Sequence, residues 1–272
     1  MTISKNCGIL SAVLSVLIFA SCKKDKTTTS QPENSGDLLM GQELVISEQY
    51  FGDLKSIADE AESGSLSSFK SAGCATVTLD QSNKKIKVDF GSSNCLCKDN
   101  RFRRGVLDIT YTKTYWDSGN VITITPSNYY VNDYGLNGTK MVTNLGLDAN
   151  SNPHWQVDVN GTVIKPLNGG TVGWICNRIM HWVAGSGTPA NWTDDAWEME
   201  GSATLTTSSN AVYNLDIQSN LHRALACAYI DKGVLQISKT GITPRIIDYG
   251  NGTCDNDATL TVGSVSIPFK LK

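Results

Sequence analysis

The sequence lacks an excess of basic residues. Its 272 residues include 23 lysine and arginine residues and 26 acidic residues, for a formal net charge of −3. Nucleic-acid binding depends on clustered cationic side chains that contact phosphates, so we expect no nucleic-acid partner. The short basic run of Lys98, Arg101, Arg103 and Arg104 is too small for such a surface, and we predict that it is a solvated connection between strands.

Histidine is scarce, and the common catalytic signatures are absent. The three histidines His154, His181 and His222 do not have the spacing of a metal-binding motif. We expect His154 and His181 to be strand or surface residues rather than catalytic ones. The sequence contains no His-Glu-x-x-His, Gly-x-Ser-x-Gly, P-loop or dinucleotide-binding motif. We therefore predict a protein that is not an enzyme and that needs no cofactor.

Long apolar segments are also missing. The run from Gly8 to Ala20 has 13 residues and follows Lys5. It is too short for a hydrocarbon core of about 30 Å, but it has the length of a signal-peptide core. No later segment approaches the roughly 18 apolar residues of a membrane-spanning helix. We expect the rest of the chain to be water-soluble.

The apolar run ends in Phe19-Ala20-Ser21-Cys22. Small residues before a cysteine resemble the lipobox of bacterial lipoproteins, although phenylalanine replaces the usual leucine. The resemblance implies a signal peptide over residues 1–21 and acylation of Cys22, which becomes the new N-terminus. Two or more acyl chains give stable membrane anchoring, so the lipid would make the membrane a partner. Plain secretion with an incidental cysteine is the alternative.

Residues 22–36 are rich in Lys, Thr, Ser, Pro and Asn and contain almost no apolar residue. Such a segment cannot bury enough surface to fold, so we predict a disordered tether. The next segment has helical periodicity, with apolar residues spaced three and four apart between Leu44 and Ala61. We predict an amphipathic helix within residues 37–64 that packs on the sheet that follows it. A helix that binds a partner is the alternative.

The remainder, residues 65–272, repeats itself. Two sequence markers recur at steps of 65 and then 63 residues, beginning at Gly73, Gly138 and Gly201 for the first and at Gly105, Gly170 and Gly233 for the second. Apolar and polar residues alternate between the markers, which is typical of antiparallel strands with one buried face. We predict an all-β fold: a long antiparallel meander of about 13 strands, either curled or sandwich-like. It would consist of three units at about 73–137, 138–200 and 201–257 and a closing hairpin at 258–272.

Signal peptide, Cys-Lys-Lys-Asp, polar tether and β-rich body occur in an order that resembles the uncharacterised envelope lipoproteins of Bacteroidota. The resemblance implies a lipid-anchored protein of the cell envelope, in the outer membrane, on its periplasmic or its cell-surface face. It implies no established activity.

Six cysteines follow Cys22, and an even number in an exported protein favours disulfides. The repeat suggests that Cys74 pairs with Cys95 and that Cys227 pairs with Cys254, with Cys97 and Cys176 left over. We treat all six as disulfide candidates. A zinc site is the less favoured alternative, because only one residue separates Cys95 from Cys97 and paired thiolates need two to four.

The second unit holds five of the six tryptophans, Trp155, Trp174, Trp182, Trp192 and Trp197. Aromatic rings beside carboxylates suit sugars, and the loop before residue 200 supplies candidate glycan-binding residues: Trp192, Trp197, Asp194, Asp195 and Glu198. We therefore expect a non-catalytic component of the cell envelope that is structural or binds a glycan. Its binding surface could alternatively serve another surface protein. For the tryptophans themselves we favour packing in the core, with the acidic residues on a solvated loop, and glycan contact is one alternative. A carbohydrate-active hydrolase that uses the carboxylates of residues 194–200 is the other.

Acidic and amide residues are also concentrated near the C-terminus, between Asp248 and Asp257. Closely spaced oxygen ligands such as Asp255 and Asp257 can bind Ca²⁺. The segment lacks the spacing of an EF-hand loop, and the same residues favour tight turns. We expect turns here, with Ca²⁺ as the alternative. Asp89, Asp158 and Asp216 recur on equivalent strands, and we expect them to point away from the core.

Overall fold

The computed structural model describes residues 35–63, 73–188 and 191–271. The predicted signal peptide, Cys22 and nearly all of the predicted tether lie outside these residues. Helix α1 spans Ser35–Ser63, so it begins two residues inside the predicted tether. Fourteen strands follow it: β1 (Thr76–Asp80), β2 (Lys85–Asp89), β3 (Cys95–Leu96), β4 (Phe102–Tyr111), β5 (Val121–Val131), β6 (Tyr134–Leu147), β7 (Pro153–Ile164), β8 (Thr171–Ala184), β9 (Ala196–Thr206), β10 (Val212–Ala224), β11 (Lys232–Lys239), β12 (Ile242–Asn251), β13 (Asp257–Val262) and β14 (Val265–Lys270).

The strands form one sheet in which each strand pairs antiparallel with its neighbour in sequence. Its order runs from β1 through β2 and β4 to β14, and the two-residue strand β3 pairs beside β4. The predicted all-β antiparallel meander with one preceding helix is therefore confirmed, as a single sheet rather than a sandwich. Within residues 35–63, 73–188 and 191–271, no helix combines the length and apolar character needed to cross a bilayer.

The alternation of residues along the strands explains which face is buried. On β8, Val172, Trp174 and Cys176 are buried, while Ile175 between them is 54 % exposed. Successive side chains on a strand point to opposite faces, so the even-numbered positions of β8 lie on the inner face. Asp158 lies on the outer face as predicted, where its carboxylate accepts a hydrogen bond from the Asn177 side chain at 2.6 Å.

Four of the recurring glycines mark irregularities within strands. The strand register shifts next to each of them, and all four have strongly positive φ angles: Gly105, Gly138, Gly201 and Gly233. Bulges of this kind bend a strand and increase its twist, so they curl the long sheet around α1. Two of these glycines lie inside β6 and β9, so the predicted unit boundaries at 138 and 201 fall within strands.

Helix α1 lies on the inner face of the curled sheet and contacts β1, β2 and β5–β8. Its apolar stripe is buried as predicted, with Leu44, Phe51, Leu54 and Ile57 each at most 1 % exposed. The apolar face is thus covered by the sheet of the same chain. The partner-binding alternative for this face is wrong in the described structure.

Several charged residues of α1 are buried as well, which helical periodicity does not indicate. Glu48 is 3 % exposed, and its Oε1 lies 2.5 Å from Arg178 Nη1. Asp53 Oδ2 lies 2.5 Å from Arg103 Nη2, and the Arg103 side chain is fully buried. The prediction of a solvated basic run is therefore wrong for Arg103, because its guanidinium is one of the groups that hold the helix to the sheet.

Two disulfides link Cys74 to Cys95 and Cys227 to Cys254, at Cα–Cα distances of 5.6 and 5.7 Å. Both predicted pairs are confirmed. Cys97 and Cys176 are buried free thiols, so their place among the disulfide candidates is wrong. The physical reason is their separation. Cys97 lies beside the start of β4, because its N–H donates to the Arg101 carbonyl. Cys176 lies on β8, four strands away, which is about 19 Å across the sheet at the usual strand spacing.

The two free thiols should be unreactive in the folded protein. Burial raises the pKa of both thiols, and that of Cys176 rises to about 11. Because the thiolate is the reactive form, we expect a chain that begins at Ser35 to show no fast reaction with Ellman's reagent at pH 8. The same chain unfolded in guanidinium should release two equivalents. A fast native reaction at either cysteine would contradict the described packing.

Candidate functional site

Three tryptophans of neighbouring strands lie side by side. The rings of Trp182 and Trp197 are stacked, with centroids 5.4 Å apart and planes 7° from parallel. The ring of Trp155 is tilted against Trp197 at a centroid distance of 5.5 Å. All three side chains are half-buried, so part of each ring surface is open. We call Trp155, Trp182 and Trp197 the tryptophan platform.

The platform lies on the inner face of the sheet, beyond the point where α1 crosses it. Trp182 pairs with Trp197 across β8 and β9. Trp182 lies four residues after Arg178 on β8, so the two side chains are on the same face of the sheet, about 13 Å apart along the strand. Arg178 is the residue that contacts the helix through Glu48. The same face that binds the helix therefore continues into an aromatic surface at one end of the sheet.

Asp195 fixes the orientation of the platform. It is only 3 % exposed, and its Oδ1 accepts a hydrogen bond from Trp182 Nε1 at 3.2 Å. Its backbone carbonyl accepts another from the Leu225 N–H at 2.8 Å. Trp197 differs from Trp182, because its Nε1 is buried and has no hydrogen-bond partner in the described part of the chain. The open part of the Trp197 side chain is therefore ring surface rather than its N–H.

Arg223 extends the platform onto the next strand. It pairs with Trp197 across β9 and β10, so its side chain lies on the same face. Its Nε donates a hydrogen bond to the Cys227 carbonyl at 3.4 Å, and burial lowers the pKa of its guanidinium. Arg223 is therefore a partly buried cationic residue on the same face as the platform and on the strand next to Trp197.

The predicted glycan-binding residues do not all come together. Trp197 belongs to the platform, and Asp195 is buried and accepts the N–H of the platform residue Trp182. Trp192 and Asp194 lie in a short 3-10 helix, Trp192–Asp194, but the side chain of Trp192 lies outside what the structure describes. Asp194 is exposed and accepts a hydrogen bond from Thr188 Oγ1 at 2.6 Å. Glu198 follows Trp197 on β9 and therefore points to the opposite face.

The outer face behind the platform carries all three histidines. The strand pairing places His154, His181, Glu198 and His222 in one row across β7–β10. The rings of His154 and His181 are stacked at 5.4 Å, and His181 Nδ1 lies 2.8 Å from Asp148 Oδ2. Hydrogen bonds, chiefly from the Asn152 N–H, hold the pKa of Asp148 at about 2. His154 and His181 lie on β7 and β8, in agreement with the predicted strand positions.

Glu198 and Glu200 have partners in this outer row. Glu198 accepts a hydrogen bond from the Asn220 side chain at 3.2 Å, and Glu200 Oε1 lies 3.5 Å from His181 Nε2. The carboxylates named for a hydrolase are therefore divided between the outer face of β9 and the loop before this strand. They do not converge on the open side of the tryptophan platform.

The acidic segment near the C-terminus forms turns. Asp255 Oδ1 accepts a hydrogen bond from the Asp257 N–H at 2.8 Å, and the Asp257 carboxylate pairs with Lys270. Over residues 35–63, 73–188 and 191–271, no three His, Cys, Asp or Glu side chains are grouped so as to hold a metal ion. The turn interpretation is thus the one the geometry supports.

The sequence matches no known protein-family model, no curated protein and no solved structure. A function for this chain therefore rests on its own residues. Trp155, Trp182 and Arg223 were not singled out by sequence reasoning as members of the site. Their strands carry alternating patterns, but only the register between strands shows that these three side chains share one end of the inner face.

Proposed function

We propose that the protein is a lipid-anchored component of the bacterial cell envelope that binds a carbohydrate, without catalysis, on its tryptophan platform. The observation that carries this proposal is the alignment of the half-buried rings of Trp155, Trp182 and Trp197 on one face. Lipid anchoring rests on the sequence before residue 23, where the apolar run ends in a lipobox-like cysteine.

The chemistry of a sugar ring matches this platform. A pyranose presents an apolar face of C–H groups, and the negative face of an aromatic ring attracts the slightly positive hydrogens of such a surface. Binding sites of this kind combine a mostly apolar lining with a few placed polar groups. Asp195 keeps the Trp182 ring of the platform in place by accepting its N–H.

Removing one indole ring from the tryptophan platform should weaken carbohydrate binding and leave the protein folded. We expect Trp182→Ala and Trp197→Ala each to weaken binding of a saccharide found on a glycan array by about 1–3 kcal/mol, the effect of losing an aromatic anchor. The measurement is isothermal titration calorimetry with that saccharide, with thermal unfolding of each variant as a check on folding.

Phe102→Ala is the matched control. Phe102 is 45 % exposed and is the first residue of β4. The strand registers place Trp155 level with the chain beyond Tyr111, the last residue of β4, so Phe102 lies at the opposite end of the sheet from the platform. Its replacement should leave saccharide affinity unchanged. Equal losses in Phe102→Ala and Trp197→Ala, or an array without any saturable saccharide, would rule out the proposed function.

A further inference from the structure

The turn between β7 and β8 places a leucine fully in water. The Gly169 N–H donates to the Pro166 carbonyl at 3.0 Å, so Leu167 and Asn168 are the two central residues of the turn. Their φ angles are +56° and +58°, and positive angles at both positions are typical of a type I′ turn. Asparagine and glycine tolerate this left-handed conformation, whereas a leucine is strained in it. The Leu167 side chain is also 100 % exposed, so no part of the described chain covers it.

Leu167 is flanked by further exposed apolar side chains. Ile164 ends β7 and is 38 % exposed, and Val212 begins β10 and is 46 % exposed. A Cβ atom on Gly170 would lie 2.8 Å from Ser208 Cβ, so the β7–β8 turn and the turn that precedes Val212 lie side by side. We call Ile164, Leu167 and Val212 the rim patch. Grouped apolar side chains at a surface are typical of contact with a partner or a membrane.

Helix α1 begins at the same end of the sheet as the rim patch. The Tyr213 hydroxyl donates to the Gly36 carbonyl at 3.4 Å, which places the second residue of α1 beside the start of β10. Further along the helix, the Glu43 carboxylate accepts hydrogen bonds from Lys165 and Ser208, which belong to the two turns beside the rim patch. The first turns of α1 and the rim patch therefore share one end of the sheet.

The length of chain before α1 decides which end of the sheet a lipid anchor holds near a bilayer. Residues 23–34 connect Cys22 to the first residue of α1, and they span at most about 43 Å when fully extended. The opposite end also exposes a leucine, Leu147 at 65 %. Leu147 pairs with Pro153, the first residue of β7, which is about 36 Å from Ile164 along the strand. Contact through Leu147 would need the connecting residues almost fully extended along the sheet, whereas contact through the rim patch would not.

We propose that the rim patch contacts the lipid bilayer that holds the anchor, with Leu167 inserted at the boundary between headgroups and acyl chains. This inference rests on lipid anchoring at Cys22, which is part of the proposed function, and adds the orientation of the protein. Trp182 lies eleven residues after the start of β8, about 36 Å from the rim patch along the strand. The tryptophan platform then faces away from the membrane, where a saccharide can reach it.

The test uses the full acylated chain in vesicles of phosphatidylethanolamine and phosphatidylglycerol. A Ser209→Cys variant labelled with the fluorophore NBD carries the probe in the turn between β9 and β10, beside the rim patch. An Asn150→Cys variant carries it between β6 and β7, at the opposite end. The free thiols of Cys97 and Cys176 are buried and should not take up the label. Lipids with a nitroxide at the headgroup should quench the probe at residue 209 and leave the probe at residue 150 unquenched.

Leu167→Asn separates membrane contact from folding. Asparagine adopts the left-handed conformation at lower cost, so the midpoint of thermal unfolding should stay the same or rise. The equilibrium constant for membrane contact, taken from the quenched and unquenched fractions at residue 209, should fall about tenfold, the effect of losing one leucine side chain from an apolar phase. Leu147→Asn is the matched control: it also removes an exposed leucine, and it should leave the quenching at residue 209 unchanged.

The outcomes separate this inference from the function on which it rests. If the acylated protein shows equal quenching at residues 209 and 150, or if Leu167→Asn keeps the full quenching, the inference is wrong and the proposed function stands. Association of two copies through Leu167 would leave residue 209 unquenched and give a dimer in detergent, which also overturns the inference. If mass spectrometry finds no acyl group on Cys22, lipid anchoring fails and the inference fails with it.

Discussion

Replacing Glu48 with alanine is expected to lower the free energy of unfolding by about 3–5 kcal/mol, because the substitution leaves a buried arginine without its counter-charge. The side chains of Arg178 and Glu48 are 6 % and 4 % exposed, and their charged atoms lie 2.5 Å apart. Water cannot readily replace the lost carboxylate at that depth. The measurement is equilibrium unfolding in guanidinium of a chain that begins at Ser35.

Two control variants define what the Glu48→Ala result means. The double variant Glu48→Leu with Arg178→Met removes both charges and keeps the volume, so it should recover most of the loss. Lys232→Ala removes an exposed lysine whose ammonium lies 3.9 Å from Glu198, and it should change stability by less than about 1 kcal/mol. A double variant as unstable as Glu48→Ala would show that packing, rather than charge, causes the loss.

Replacing Gly138 with alanine is expected to cost about 4 kcal/mol or to prevent folding, because the new methyl group collides with the neighbouring strand. The φ angle at this position is +107°, and a Cβ atom there would lie 2.2 Å from the Asn160 carbonyl oxygen and 2.4 Å from Gly161 Cα. Backbone atoms cannot move aside as the end of a flexible side chain can. The change should appear as a lower unfolding midpoint in guanidinium.

Gly241→Ala provides the comparison for Gly138→Ala. Gly241 also has a positive φ angle, +77°, but a Cβ atom there would meet nothing within 4 Å. Only the intrinsic penalty of a left-handed conformation applies, which is about 1–2 kcal/mol. Equal losses at the two positions would mean that the bulge at Gly138 tolerates a side chain, which would contradict the close contact between β6 and β7.

Local patterns predicted the elements of the fold well. The period of two between Thr76 and Leu271 indicated antiparallel strands, and the helical period between Leu44 and Ala61 indicated one helix that packs on them. The repeated cysteine positions indicated both disulfides. These properties depend on residues close in sequence or on a repeat that places distant residues at equivalent positions, so the sequence alone contains the signal.

The buried charges of α1 could not be predicted in the same way. Asp53 and Arg103 are separated by 50 residues, and Glu43 and Lys165 by 122. Helical periodicity identifies an apolar stripe, but it does not show that the sheet curls far enough to cover the charged positions beside it. That curl comes from bulges at glycines. The recurrence of these glycines is visible in the sequence, but by itself it indicates a repeat and not a bulge.

Only part of the candidate site could be predicted, because the rest also depends on contacts between residues distant in sequence. The concentration of tryptophans in the second unit pointed to the correct region, and Trp197 belongs to the platform. Its neighbours Trp155 and Trp182 come from two other strands, and their approach depends on the register that the turns and bulges set. Adjacent residues on a strand face opposite ways, so Glu198 could not share the surface of Trp197.

The placement of α1 has a consequence for the order in which the chain folds. Each strand of the meander pairs with a close neighbour in sequence, so the sheet has a low contact order and can grow hairpin by hairpin. The helix is different: Glu43 needs Lys165 and Ser208, which lie 122 and 165 residues later in the chain. Helix α1 is synthesised before all of the strands and is thus the last to complete its contacts, and until then its acidic residues keep it hydrated.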